Sequence, residues 1–220
     1  MNTRTTSTVF SLIALTLSLL SPIQAHALTL EFVPSSTTLQ VGATLRIDVM
    51  LRNFDPGITP VIGDFDIHFK FNPLFLHSTI AGLPTATVFG EKLGSPGHET
   101  TAAWGGVDQS VDDIIRIAEW SYLYATSLEA LQTDTSFILG SLYFDAITQG
   151  VSEVSFSSAS IGGAPVFSPG GAYYSPGLRI PVELGSTVLL TVTSVPEADT
   201  WAMLLAGSGL VGAAVRRRRG

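Results

Sequence analysis

Apolar and polar residues alternate along two long stretches of this chain. In residues 61–71, Phe65, Ile67, Phe69 and Phe71 fall on one side of a period of two, and Asp64, Asp66, His68 and Lys70 on the other. Residues 44–54 repeat the pattern, with Leu45, Ile47, Val49 and Leu51 set against Arg46, Asp48 and Arg52. An extended backbone sends successive side chains to opposite faces, so each stretch predicts a half-buried strand with its apolar set inward. Shorter runs predict further strands over 28–33, 74–80, 114–124, 136–146, 151–158 and 186–193. Turn-forming clusters separate them, among them Asp55-Pro56-Gly57, Asn72-Pro73, Gly162-Gly163 and Ser175-Pro176-Gly177. The only helical pattern is Thr126–Gln132, at most two turns. Many short strands without interleaved helices predict an all-β sandwich or barrel and argue against a parallel βαβ architecture.

The two ends follow a different logic. Residues 1–27 have the three parts of a secretory signal peptide: Arg4 beside the amino terminus, an apolar run from Val9 to Leu20, and a small-x-small site at Ala25-His26-Ala27. The run is too short for a membrane span, which needs about 17–25 residues. At the other end, Thr200 to Val215 is 16 residues without a charge, followed by Arg216, Arg217, Arg218 and Arg219. As a helix that run is about 24 Å long, short for a bilayer but long enough with snorkelling arginines. Trp201 stands at the position of an interfacial aromatic, and the arginine block belongs on the cytoplasmic side. Both ends therefore predict one topology, with the body outside and the tail anchored in the inner membrane as a short transmembrane helix.

Charge sharpens the reading of the body. Five of the 11 basic residues lie in the ends (Arg4 and Arg216 to Arg219), as do two of the 18 acidic ones (Glu197 and Asp199). The body thus holds six bases against sixteen acids, a net −10, which argues against nucleic acid or an anionic lipid surface as its partner. Cysteine is absent, which excludes disulfides and thiolate metal sites.

Two groups of motifs resemble known families. Val41-Gly42 before the 44–54 strand, the Phe71-Asn72-Pro73 turn that ends the next one, and Leu139–Ala146 followed by Val151–Phe156 are similar to strands of cohesin-like domains. The resemblance implies a nine-stranded jelly-roll sandwich over most of 28–194, shared with some carbohydrate-binding modules. The stretch 81–113 does not fit that pattern and is expected to be a long loop. Residues 195–220 closely resemble the PEP-CTERM sorting signal of Gram-negative bacteria. Its Pro-Glu-Pro box is matched by Pro196-Glu197-Ala198, with alanine in place of the second proline, and its apolar span by Thr200-Trp201-Ala202-Met203-Leu204-Leu205-Ala206-Gly207. That resemblance implies an exosortase as partner, with processing near Pro196–Ala198 after passage through the export machinery.

Candidate chemistry in the body is sparse. No catalytic motif or phosphate-binding glycine loop is present, no cofactor is implied, and no metal site is expected. His68 belongs to the polar face of its strand, His77 lies near a turn and His98 in a Gly/Pro loop, none at metal-ligand spacing from another. Asp64 with Asp66, and Asp108 with Asp112 and Asp113, read as a solvated acidic surface ahead of an oxygen-ligand calcium site. Trp120, Tyr122 and Tyr124 share one parity, which favours a core face over a sugar-stacking strip; Trp104 is open. The candidate carbohydrate contacts are Trp104, Trp120 and Tyr122. The functional expectation is a non-enzymatic exported surface or extracellular-matrix protein, with a carbohydrate-binding module acting on extracellular polysaccharide as the alternative.

Overall fold

The alternating segments fold as strands. The computed structural model describes residues 27–80, 88–94, 103–164, 166–167, 174–175, 177–194 and 208. In chain order the strands are β1 (Leu28–Pro34), β2 (Thr38–Gln40), β3 (Thr44–Arg52), β4 (Ile62–Lys70) and β5 (Leu76–Ser78). Next come β6 (Ala103–Val111), β7 (Ile114–Ser121), the helix α1 (Ala125–Leu131), β8 (Phe137–Ala146) and β9 (Gly150–Gly163). The last are β10 (Val166–Phe167), β11 (Tyr174–Ser175), β12 (Arg179–Ile180), β13 (Val182–Leu184) and β14 (Val188–Thr193).

Two sheets form the sandwich, one in the order β13-β1-β3-β8-β5 and the other in the order β2-β14-β9-β4-β7-β6, with β12 added on β9. Strands β10 and β11 pair antiparallel as a separate two-stranded sheet. Leu45, Ile47, Val49 and Leu51 of β3 and Phe65, Ile67 and Phe69 of β4 are buried, as the alternation requires. Aromatic rings bridge the layers: Phe32 of β1 stacks on Phe156 of β9 at 4.0 Å between centroids, and Phe71 meets Phe144 of β8 at 5.2 Å. The sandwich is closed by two parallel pairings, β1 with β13 and β2 with β14. Consecutive strands β1 and β2 therefore belong to different sheets, and so do β13 and β14. Gly185 turns the second of these corners. Its N–H donates to the Leu30 carbonyl at 2.7 Å, and a Cβ there would collide with that oxygen.

Several expectations are corrected. The stretch 81–113 is not one long loop, because residues 103–111 form β6, paired antiparallel with β7. Glycines at 105 and 106 and polar residues at 108–110 hide this strand; pairing, rather than its own pattern, holds it extended. The strand expected over 74–80 shortens to β5, since the Asn72 side chain accepts from the Leu74 N–H at 3.0 Å and holds a turn. β7 stops at Ser121, short of Tyr122 and Tyr124. The strands outnumber the nine implied by the cohesin resemblance, because short segments such as β2, β12 and β13 pair separately.

The helix forms where the sequence places it, although nothing caps its start and no charge complements its dipole. Tertiary contacts hold it instead. Leu128 is buried, and the buried Gln132 accepts from the Ile62 N–H at 2.7 Å and donates to the carbonyls of Ile62 at 2.7 Å and Lys92 at 3.1 Å. Gln132 thus satisfies both backbone groups at the start of β4. Gln132→Leu orphans them, and leaving a buried polar group unsatisfied costs about 1–3 kcal/mol. Urea unfolding of the sandwich is expected to show a loss of about 2 kcal/mol or more with the m-value unchanged. A loss below about 0.5 kcal/mol refutes this role for the glutamine.

Candidate functional site

The face of β4 that points away from the core carries Asp64, Asp66 and His68, and its neighbours set what lies beside each. Asp64 stands between Trp120 of β7 and Gly162 of β9, Asp66 between Ala118 and Ser160, and His68 between Arg116 and Ser158. Across β7, Arg116 is in register with Asp108 of β6. The β9 flank is uniformly small, with Gly162, Ser160 and Ser158, while the β7 flank brings Arg116 beside the charged groups of β4.

The charges are paired. Arg116 donates through Nε to Asp66 Oδ1 at 2.9 Å and through Nη2 to Oδ2 at 2.7 Å, a fork that fits the carboxylate plane. His68 Nε2 lies 3.3 Å from Asp66 Oδ1. The Arg116 hydrogen bonds hold the Asp66 carboxyl below the usual carboxylate range, against a smaller opposing effect of burial. Asp64 is different. It is only 2% exposed, and Arg179 of β12 donates to its Oδ1 at 2.7 Å while Oδ2 is buried without a hydrogen bond. Burial pushes the Asp64 carboxyl up, and the attraction of Arg179 opposes that shift without overcoming it. Gly162 is required beneath it, because a Cβ there would collide with the Asp64 carboxylate.

This geometry corrects the reading of Asp64 as part of a solvated acidic surface, since it lies buried under Arg179 despite its outward parity. Asp66 stays more than a third exposed, with its charge paired to Arg116. Asp108 accepts from the Ser110 N–H at 2.8 Å, Asp113 sits 3.7 Å from Lys70, and Asp112 is exposed. Among the described residues, no three His, Asp or Glu side chains gather as a metal site. His77 is exposed on β5, in the other sheet, and His98 lies outside the described residues.

The aromatic residues also move. The core parity of β7 runs through Ile115 and Ile117, so Trp120 points to the opposite face and is half-buried. Tyr122 and Tyr124 follow the strand and are exposed, which overturns the core reading of that trio. Trp104 of β6 is the register partner of Trp120, a proximity that no spacing in the sequence signals. Sequence reasoning also missed Arg179 and Gly162. Only the Gly162-Gly163 pair left a trace, and it reads as a turn.

The expected signal-cleavage and sorting residues fall at the margins. Ala25 lies outside the described residues; Ala27 is within them, and β1 begins at the next residue, Leu28. Pro196, Glu197, Ala198 and Arg216, Arg217, Arg218 and Arg219 lie outside the described residues, as does the expected transmembrane helix apart from Ser208. Among the described residues, no helix is long and apolar enough to cross a membrane.

The two face carboxylates couple stability to pH with opposite signs. Asp66, depressed in the fold, contributes stability above its unfolded value that is lost as the pH falls through its folded value. Asp64, raised in the fold, contributes stability below its unfolded value that is lost as the pH rises through its folded value. Asp66→Asn is expected to cost about 0.2–1 kcal/mol at neutral pH, because Arg116 and Asp66 are both more than a third exposed, and the cost should vanish in acid. Asp64→Asn should become relatively more stabilising as the pH rises. Urea unfolding of both variants across the acid range checks this; parallel profiles refute it.

Comparison with known proteins places both parts of the chain. Residues 194–219 match the PEP-CTERM protein-sorting motif. No curated protein matches the sequence. The fold is similar to a type II cohesin domain from the cellulosome of Acetivibrio cellulolyticus, with a TM-score of 0.54, 14% identity, and coverage of 74% of this chain and 95% of that one. It is similar also to the seventh ScaB type I cohesin of Pseudobacteroides cellulosolvens, with a TM-score of 0.52, 12% identity, and coverage of 78% and 96%. A third similar structure is the cohesin module of a Clostridium perfringens family 33 glycoside hydrolase, with a TM-score of 0.50, 10% identity, and coverage of 77% and 97%. The chain therefore joins a cohesin-like β-sandwich to a PEP-CTERM protein-sorting motif.

Proposed function

We propose that this is an exported, non-enzymatic surface-binding module, sorted by an exosortase through its C-terminal tail. Residues 1–27 act as the signal peptide, 28–194 as the binding sandwich and 195–220 as the sorting and anchor segment. One observation carries the reading: the sorting-motif match begins at residue 194, directly after β14 ends at Thr193. A finished sandwich is thus followed at once by a box, an apolar run and an arginine block, the order that an inner-membrane anchor awaiting processing requires. The box stands next to the apolar run, with only Asp199 between them, at a depth where a membrane peptidase meets its substrate. Pro196 also biases Val195 toward extended backbone, the conformation that peptidases bind.

The outer face of β4, β7 and β9 is the proposed binding surface. Its arginine–carboxylate pairs give directional polar contacts, with Trp120 at one end. One similar cohesin is described in a type II cohesin–X-dockerin complex from Acetivibrio cellulolyticus, which supports a protein partner here. Exposure of Tyr122 and Tyr124 beside the half-buried Trp120 supports the second reading, binding of extracellular polysaccharide.

Intact-mass analysis of envelope fractions from a host with an exosortase tests the sorting reading. The expected product ends near residue 196. Glu197→Ala should block processing while leaving insertion intact, and neutral replacement of Arg216–Arg219 should weaken membrane retention. Wild-type protein that keeps residues 199–220 in every fraction is a simple tail-anchored protein instead. For the polysaccharide reading, Trp120→Ala and Tyr122→Ala should each cut retention on the host's extracellular polymer about threefold or more, the scale of an aromatic contact. Unchanged retention excludes the aromatics as the contact.

A further inference from the structure

The end of the sandwich from which the sorting tail leaves has an exposed apolar tip. Strand β14 stops at Thr193, whose carbonyl accepts from the Val41 N–H at 3.0 Å. The next residue, Gly42, donates to the Ala146 carbonyl at 2.7 Å, and Ile147 donates to the Phe75 carbonyl at 2.9 Å. These bonds tie the exit point to two loops, one carrying Leu74, 70% exposed, and the other Ile147, 46% exposed. Both side chains are wet in the isolated sandwich, yet neither loop needs a large apolar residue for its turn. The Asn72 side chain holds the first, and the turn ahead of Gly150 is formed by Thr148 and Gln149.

Exposure alone does not single out this end. Ile58 and Leu178, at the opposite end, are 81% and 83% exposed. The tail decides between them. Six residues, Ser194 to Asp199, separate the last strand from the apolar run that starts at Thr200. Fully extended they span at most about 20 Å. The two ends of the sandwich lie about 40 Å apart along β9, taken as 14 residues of strand. Leu74 and Ile147 are thus held within reach of the bilayer interface, whereas an inverted sandwich with Ile58 and Leu178 against the lipid would overstretch the tether.

We infer that, before processing, the sandwich stands on the outer surface of the inner membrane, with Leu74 and Ile147 inserted among the lipid headgroups. The inference rests on the tail-anchored topology proposed above. The partner is a lipid surface of low net charge. Asp113 at this end is balanced by Lys70, but Asp112 is exposed and the body as a whole is acidic, which disfavours anionic lipid. Docked in this way, the sandwich holds Ser194 near the interface and keeps the processing box beside the membrane rather than loose above it.

The absence of cysteine gives a direct test, since each introduced thiol is unique. Leu74→Cys, Ile147→Cys, Ile58→Cys and Leu178→Cys are made in the exported chain, which is purified with its tail from a host without an exosortase. Each is labelled with an environment-sensitive fluorophore and reconstituted into vesicles of phosphatidylethanolamine and phosphatidylcholine, with and without spin-labelled lipid. Blue-shifted emission and lipid-borne quenching are expected at 74 and 147 but not at 58 and 178, with quenching at least about threefold stronger. Equal signals at both ends, in chains that resist alkaline extraction, overturn this inference and leave the anchoring intact. Chains released by alkaline extraction overturn both. Signals at 74 and 147 that fade as the chain is diluted in lipid show that a second copy covers the tip, which also overturns the lipid contact.

Discussion

The register of β4 between β7 and β9 is the constraint on which the rest of the molecule depends. It places Phe65, Ile67 and Phe69 against the facing sheet and Asp64, Asp66 and His68 on the other side. A slip of one residue would exchange these sets, driving three charged or polar side chains into an apolar layer that includes Phe32 and Phe156. The arginine pairs reinforce the same register from outside. Arg116 reaches Asp66, and Arg179 reaches Asp64, only if β7, β4, β9 and β12 are aligned as they are. Core and surface therefore specify one arrangement, although the core supplies most of the stabilisation, since half-exposed ion pairs contribute little.

Asp64 marks the place where the two demands meet. Its backbone parity assigns it to the outer face, yet Arg179 and the neighbouring strands bury it. A buried carboxylate with one unbonded oxygen is costly, and the upward push on its pKa expresses that cost. The packing accommodates it by placing glycine at 162 directly against the carboxylate. The Asp64–Arg179 pair thereby adds a side-chain tie between β4 and β12, which pairs with the end of β9.

The legibility of the chain followed the source of each element's stability. β3, β4, β7 and β8 carry their own apolar sets, and the sequence locates them to within a few residues. The short helix was also legible, as the helical pattern over Thr126–Gln132, although its hold on Ile62 through Gln132 was not. β6 was hidden because glycine and polar residues give it no alternation, and only its partner strand keeps it extended. Tyr122 and Tyr124 were misassigned to the core because parity has meaning only while a strand lasts, and β7 ends at Ser121. The pairing of Asp64 with Arg179 joins residues 115 apart, a distance over which no periodicity carries information. The tail was the most legible part, because its order of box, apolar run and basic block is linear in the sequence.

The order of the strands also bears on when the sandwich can be completed. β14 lies between β2 and β9, so the larger sheet cannot close until the chain has been delivered through Thr193. The bond from the Thr193 side chain to the Leu39 carbonyl joins residues 154 apart, and such a closure comes late because its loop entropy is lost before the contact forms. On the proposed topology the apolar run stops translocation only seven residues beyond that strand. Completion of the sheet and arrest in the membrane then fall at nearly the same point of export. On that topology, closing the sheet fixes Thr193, the last residue of β14, at the end of the sandwich from which the proposed anchor departs. The last strand of the fold and the sorting motif are then linked, because the matched motif begins at the residue after β14 ends.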